Sequence, residues 1–368
     1  MATGAESYKV LLEEIRGRDP SIIVTIGSSR VSTIPGVSIA GATPELTLLT
    51  PGLDAEYLIA GLVISERIIP VTPTGIPTPA VVTRAVLKKA RIPALVVDAG
   101  SHLTPRVPHV SLPSKTVGGM IHECKGLPLD RAKSLYEEAY MLGRSIASPG
   151  TIHFLGESIP GGTTLALGIL EGLGYEARGK VSSAGPDNPH DLKWSLVSKG
   201  LEACRKEYGG CEDPFRVVAC LGDPVHVSVA GLAAGILDES EPVFLAGGTQ
   251  MAAVLALIKA FRGLDDAVGR IAIATTRWLV EDPTSDLVGL VKKIEPRVPV
   301  VYYDYNFRGL GYEGLEAYEK GFVKEGVAIG GAGVAASLLR GLDDEEIHKA
   351  IVRDYQLLLE ELKSDSRR

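Results

Sequence analysis

The stretch IHFLGESIPGGTTLALGILEGLG, residues 152–174, decides the fold. Strand-forming residues run to Gly156–Glu157, the chain turns through Pro160-Gly161-Gly162, and Thr163-Thr164 open an apolar helical run. Strand, glycine turn and helix in that order make one βα unit of a parallel sheet. The first N–H groups of such a helix point at an anion, aided by the helix dipole. Gly156, Gly161 and Thr163 stand where a triphosphate loop has its two glycines and its hydroxyl, but Gly162 occupies the lysine position. That lysine normally reaches the β- and γ-phosphates. Its absence argues against ATP or GTP hydrolysis and favours a monophosphate. A plain βα turn with a threonine cap is the bland reading of the same residues.

Working outward, β-rich runs that end in Gly, Ser, Thr or Asp recur at 22–29, 94–101, 216–223, 242–249, 270–276 and 299–305. Amphipathic or apolar helical stretches such as TPAVVTRAVLKKA and QMAAVLALIKAF separate most of them. The pattern predicts an α/β fold: a mostly parallel, Rossmann-like sheet with helices on both faces. Residues 21–305 form the expected core. Helical patterns at 6–18 and 342–363 suggest that residues 1–20 and 306–368 make a small helical subdomain. The Pro/Asn/Asp-rich stretch 181–191 reads as an ordered loop at the sheet's edge.

The 368 residues carry a net charge of −7 and no long basic block, so nucleic-acid binding has no electrostatic footprint. A mean hydropathy of +0.16 permits a large core. The longest apolar runs are too short for a membrane span, and the charged N-terminus lacks a signal-peptide pattern. A cytoplasmic protein is expected. Cys124, Cys204, Cys211 and Cys220 show no paired ligand spacing, so reduced thiols are the default expectation, with a Cys204–Cys211 bond as the alternative. The seven histidines are scattered, which gives metal catalysis no support.

Further candidates lie at turns. In GPDNPHDLKW (185–194), Lys193 falls one turn into a helix, where it either supplies the cation that the first loop lacks or is a solvated surface lysine. In GFVKEGVAIGGAGVAASLL (321–339), Glu325 fronts an almost charge-free run. Desolvation there would suit it to general-base work, and complementing a helix dipole is the alternative. Asp98 and Asp223 read as strand-end aspartates, either functional or capping. Gly247 and Gly248 form another glycine turn before a helix.

Taken in order, these motifs resemble the nicotinate-nucleotide–dimethylbenzimidazole phosphoribosyltransferases, and most closely their divergent archaeal branch. The resemblance rests on Gly156-Glu157 followed by IPGGTT, VVDAG around Asp98, SKTVGGM, Lys193, GDPVHVSVAGLAAGIL, PVFLAGGTQMAAVLAL and KEGVAIGGAG. It runs from about residue 70 onward, and the first 60 or so residues match the bacterial form poorly. It implies transfer of the phosphoribosyl group of nicotinate mononucleotide to 5,6-dimethylbenzimidazole or a purine-like base. It implies Glu325 as base, Glu157 beside the ribosyl cation, and Gly161, Gly162, Thr163, Thr164 and Lys193 about the phosphate. No cofactor is implied, and a homodimer or larger homo-oligomer is. A non-catalytic nucleotide-binding module is the rival reading. A dinucleotide-dependent oxidoreductase is weaker, because GSSRVSTIPG after the first strand is not GxGxxG.

Overall fold

The structure, a computed structural model, describes residues 5–41, 43–66, 75–211 and 213–365. Seven strands form one sheet: β1 (Asp19–Gly27), β2 (Ala94–Gly100), β3 (Val110–Ser111), β4 (Thr151–Ser158), β5 (Val243–Ala246), β6 (Ile271–Thr276) and β7 (Val300–Tyr303). Their order is β3-β2-β1-β4-β5-β6-β7, and every pairing is parallel. This is the doubly wound arrangement that the sequence predicts. The strand order reverses between β1 and β4, and ligands in such sheets bind beyond the carboxyl ends at that point.

Side-chain alternation divides the core into two layers. Ile23, Leu155, Val243, Leu245, Ile271 and Ile273 face one layer of helices, which includes Leu129–Ile146, Gly162–Gly172, Pro224–Asp238 and Thr249–Arg262. Ile22, Val24, Ile26, Phe154, Phe244 and Ala272 face the other, built from Pro79–Ala90, Ile329–Arg340 and Asp344–Asp365. Helix Ala5–Glu14 joins this second layer through Leu11. Both faces being covered explains why the strands read as continuous apolar runs rather than alternating ones.

One expected strand is a helix. Residues 216–223 fall in Pro214–Leu221, whose start is set by Asp213 accepting from the Phe215 and Arg216 amides and by Pro214 in the first turn. Its apolar run is short enough to fit either element, and the Asp-Pro start outweighs the β-branched residues. Asp223 accordingly caps helix Pro224–Asp238 instead of ending a strand. The two-residue strand β3 carries no sequence signal.

A single close approach positions the site. A Cβ on Gly156 would lie 2.5 Å from the Cβ of Ala328, so glycine there lets the segment before helix Ile329–Arg340 rest on β4. The Val327 amide then donates to the Glu157 carbonyl at 2.8 Å. Gly156→Ala should lower unfolding free energy by about 1–3 kcal/mol, the usual cost of overpacking. The check is the denaturant midpoint at constant slope; an unchanged midpoint would show that the two segments separate freely.

Candidate functional site

A cavity of about 560 Å³ opens over the carboxyl ends of β4 and β5, at the switch point. Its walls come from residues 37–41 after β1, helix Pro44–Ala60, the 159–163 turn, the 182–184 loop and the 323–327 segment. The 181–191 loop therefore crowns the sheet's carboxyl end and is not an edge loop. Val37, Ile39, Leu46, Leu53, Ile76 and Pro77 give one part of the wall an apolar character.

At one end lies the glycine turn. Gly161 adopts φ +76°, helix Gly162–Gly172 starts next, and Gly161, Gly162 and Thr163 all line the cavity. Lys193, in the first turn of helix His190–Tyr208, is fully buried. Its ammonium donates to Thr163 Oγ1 at 3.0 Å and to the Ser182 carbonyl. The solvated-lysine alternative is thereby set aside: this cation comes from a second loop to the hydroxyl of the first. Desolvation, with repulsion from Lys324, brings its pKa down to about 7. Lys324 is itself buried and paired with Asp282 at 2.7 Å. Burial works to raise the Asp282 carboxyl, but hydrogen bonds from Lys324 and Thr284 hold it well below the usual range.

Carboxyl groups gather elsewhere on the same wall. Glu157, 4% exposed, accepts from the Ile159 amide at 3.0 Å and from Gln250 Nε2 at 2.8 Å. Burial raises its pKa to about 7, against the lowering effects of His226 and these hydrogen bonds. Glu325 keeps a partial opening to the cavity and accepts from the Gly326 and Gly330 amides at 2.9 and 3.0 Å. Desolvation, together with repulsion from Glu157, pushes it well above the ordinary carboxylate range. A third carboxyl, Asp54, accepts from Thr78 Oγ1 at 2.7 Å and Ser158 Oγ at 2.8 Å, and burial raises it to about 6. Behind Glu157 in the charge balance stands a buried pair: His226 Nδ1 bonds Asp223, and His226 Nε2 has no hydrogen-bond partner among the described residues. Burial opposes the imidazolium, but Asp223 and Glu157 raise its pKa.

Not every sequence candidate meets here. Gly248 lines the cavity beside Glu325, while Gly247 and the buried Thr164 do not. Asp98 lies two residues before the end of β2, accepts from the Gly100 and Ser101 amides and pairs with Lys115, away from the cavity. Asp223 also lies off the wall. Sequence reasoning missed Asp54, Gln250, His226 and Lys324. Gln250 lies two residues after the Gly247-Gly248 turn and Lys324 directly precedes Glu325, so proximity in sequence was an available signal; for Asp54, inside an unmatched helix, there was none.

No family model matches the chain. A UPF0284 protein of Aeropyrum pernix is 47% identical over 353 residues, 96% of each chain. A second UPF0284 protein, from Pyrobaculum calidifontis, is 48% identical over 309 residues, 84% of this chain and 88% of that one. The chain belongs to the UPF0284 family. Among solved structures, the nicotinate-nucleotide-dimethylbenzimidazole phosphoribosyltransferase of Thermus thermophilus aligns over 93% of this chain and 91% of its own, with a TM-score of 0.59 and 17% identity. A structure described as CobT from the same organism gives 0.57 and 16%, covering 91% and 90%. This UPF0284 chain therefore has the fold that the motif order implied. Among the described residues, no helix is long and apolar enough to cross a membrane.

The Lys193 pKa near 7 generates a signed expectation. The amine is charged below that pH and neutral above it, so sulfate, whose own charge is constant over this range, should bind more weakly as pH rises through 7. A charge-assisted contact of roughly 1.5–3 kcal/mol corresponds to a loss of about ten- to a hundredfold. Calorimetry from pH 6 to 9 tests this, and Lys193→Met should bind weakly with no such step. A parallel step in the methionine variant would trace the dependence to another group.

Proposed function

We propose that this UPF0284 protein transfers the 5-phosphoribosyl group of nicotinate mononucleotide to an aromatic base, 5,6-dimethylbenzimidazole or a relative, giving an α-ribotide and nicotinate. The observation that carries this reading is the pairing of Lys193 with Thr163 at one end of the cavity and two desolvated glutamates, Glu157 and Glu325, elsewhere on its wall. A single phosphate needs no lysine within the loop. The Gly162 amide is taken by the Ile159 carbonyl at 3.0 Å, so the Gly161 N–H, the Thr163 hydroxyl and the ammonium of Lys193 are the groups that would hold it.

The chemistry follows from the charges. In nicotinate mononucleotide the pyridine nitrogen bonded to C1′ is cationic. Its entry beside Glu157 and Glu325 favours their ionised forms, offsetting the desolvation that raises both. The acceptor nitrogen bonds to C1′ from the opposite face while the C1′–pyridine bond breaks, its electron pair leaving with nicotinate. Positive charge on the ribosyl carbon peaks between the two events, where the fixed Glu157 carboxylate stabilises it. The proton on the acceptor's other ring nitrogen passes to Glu325. Its elevated pKa makes it a stronger base than an exposed glutamate. Holding two flat bases on opposite sides of one sugar supplies much of the remaining rate.

Incubation with nicotinate mononucleotide and a benzimidazole, following released nicotinate, tests the activity. Glu325→Gln should lower kcat by about 10²–10⁴-fold with substrate binding largely kept, and the loss should shrink for more acidic acceptors. Glu157→Gln should lose rate with little dependence on acceptor acidity. Nicotinate release equal to background across the acceptor series would leave a binding module. Near-parental turnover of Glu325→Gln on dimethylbenzimidazole would move the base elsewhere.

A further inference from the structure

Cysteines that are scattered through the sequence meet in space. Cys124 closes the 3₁₀ turn Ile121–Glu123 with φ 58°, Cys204 lies just before the last turn of helix His190–Tyr208, Cys211 follows that helix, and Cys220 lies in the last turn of Pro214–Leu221. Where reduced thiols were expected, the structure joins Cys124 to Cys220 and Cys204 to Cys211. The two pairs are not independent. The sulfurs of Cys124, Cys204 and Cys220 all lie within 4.8 Å of one another, and Cys211 is bonded to one of them.

We propose that these four cysteines, when reduced, form a tetrahedral thiolate site for one soft divalent cation, zinc by its chemistry, apart from the nucleotide cavity. A metal–sulfur distance of about 2.3 Å makes the sulfur–sulfur edges of a tetrahedron about 3.8 Å. Each bonded pair, once reduced, must therefore open by about 1.8 Å from the usual S–S length of about 2.05 Å, while the Cys124, Cys204 and Cys220 sulfurs already lie within 4.8 Å of one another. No carboxylate or imidazole joins the three-sulfur group, and an all-sulfur donor set selects zinc over magnesium or calcium. Cys204 and Cys220 are fully buried, which shields the metal. Cys220 sits at a helix carboxyl end, where the dipole repels a lone thiolate and favours a cation.

The frame around the sulfurs is held by backbone contacts. The Gly126 and Leu127 amides donate to the Cys220 and Ala219 carbonyls at 3.2 and 2.9 Å. A Cβ on Gly200 would lie 2.4 Å from the Ile121 carbonyl oxygen, so the helix bearing Cys204 rests directly on the turn bearing Cys124. That helix also carries Lys193, eleven residues and about 16 Å from Cys204 along its axis. A metal at its far end would fix the helix whose first turn reaches the phosphate loop. Disulfide and metal states exclude each other. Opening both disulfides takes four electrons from two equivalents of an added phosphine, which leaves as the phosphine oxide, and four protons from two waters, and metal binding then releases thiol protons to solvent.

The test uses the full chain, reduced with a phosphine under anaerobic conditions and stripped of metal. Cobalt(II) should bind at one ion per chain, with a sulfur-to-cobalt charge-transfer band and the intense visible absorption of a tetrahedral thiolate. Zinc should displace it and raise the thermal midpoint above that of the reduced, metal-free chain. The disulfide-bonded chain should take up none, and Cys204→Ser and Cys220→Ser should lose stoichiometric binding. Less than half an equivalent of cobalt on the reduced chain, or binding without the sulfur band, overturns the proposal. Should the serine variants fail to fold, the cobalt spectrum of the unmutated chain decides alone.

Discussion

The seating of residues 323–331 on the carboxyl ends of β4 and its neighbours is the contact on which the site depends. Val323, Val327 and Ala328 all have positive φ, near 49°, 50° and 58°. Such backbone is uncommon for any residue with a Cβ and an outlier for valine, with a cost of order 1–3 kcal/mol each. Four bonds hold the segment in place. Val323 and Val327 donate to the Ala184 and Glu157 carbonyls, and the Thr276 and Thr83 hydroxyls donate to the Lys324 and Val327 carbonyls. The consequence is local and chemical. A glutamate from late in the chain arrives beside one from β4, with its carboxyl fixed by two glycine amides.

That geometry sorts charge within one cavity. Lys193 meets the glycine turn, while Glu157, Glu325 and Asp54 sit in surroundings that penalise their ionised forms. Burying so many ionisable groups is unfavourable unless partners or ligands offset it. Lys324–Asp282 and His226–Asp223 are offset internally. Lys193 is offset only in part: its direct contacts are a hydroxyl and a carbonyl, and the attraction of Asp282 is outweighed by desolvation and by repulsion from Lys324. The two glutamates have the reciprocal need, which a cationic centre would meet.

Much of this was legible beforehand because the signals were local. The βα turn at 156–163, the alternation of apolar strands with helices, and the glycine run after Glu325 each state their geometry within a dozen residues. The misread segment 216–223 failed for want of weight on Asp213-Pro214, a start signal that lay two residues outside the window. Asp54 was illegible for another reason: its role at the wall comes from hydroxyls of Thr78 and Ser158, 24 and 104 residues away. The cysteines show the same limit, since Cys124 and Cys220 are 96 residues apart and no ligand spacing betrays them.

The loop without its lysine follows from this layout. A Cβ on Gly162 would lie 1.9 Å from Gln250 Oε1, and Gln250 is the residue that donates to Glu157. Any side chain at Gly162 therefore displaces the group that holds the carboxylate. A lysine within the loop would cost Glu157 its Gln250 partner and leave the Ile159 amide as its remaining hydrogen bond. Bringing the cation in from a separate helix removes the conflict, leaving the turn bare and the glutamate fixed. The glycine in the lysine position is thus also the residue that leaves Gln250 in place to hold the carboxylate beside the turn.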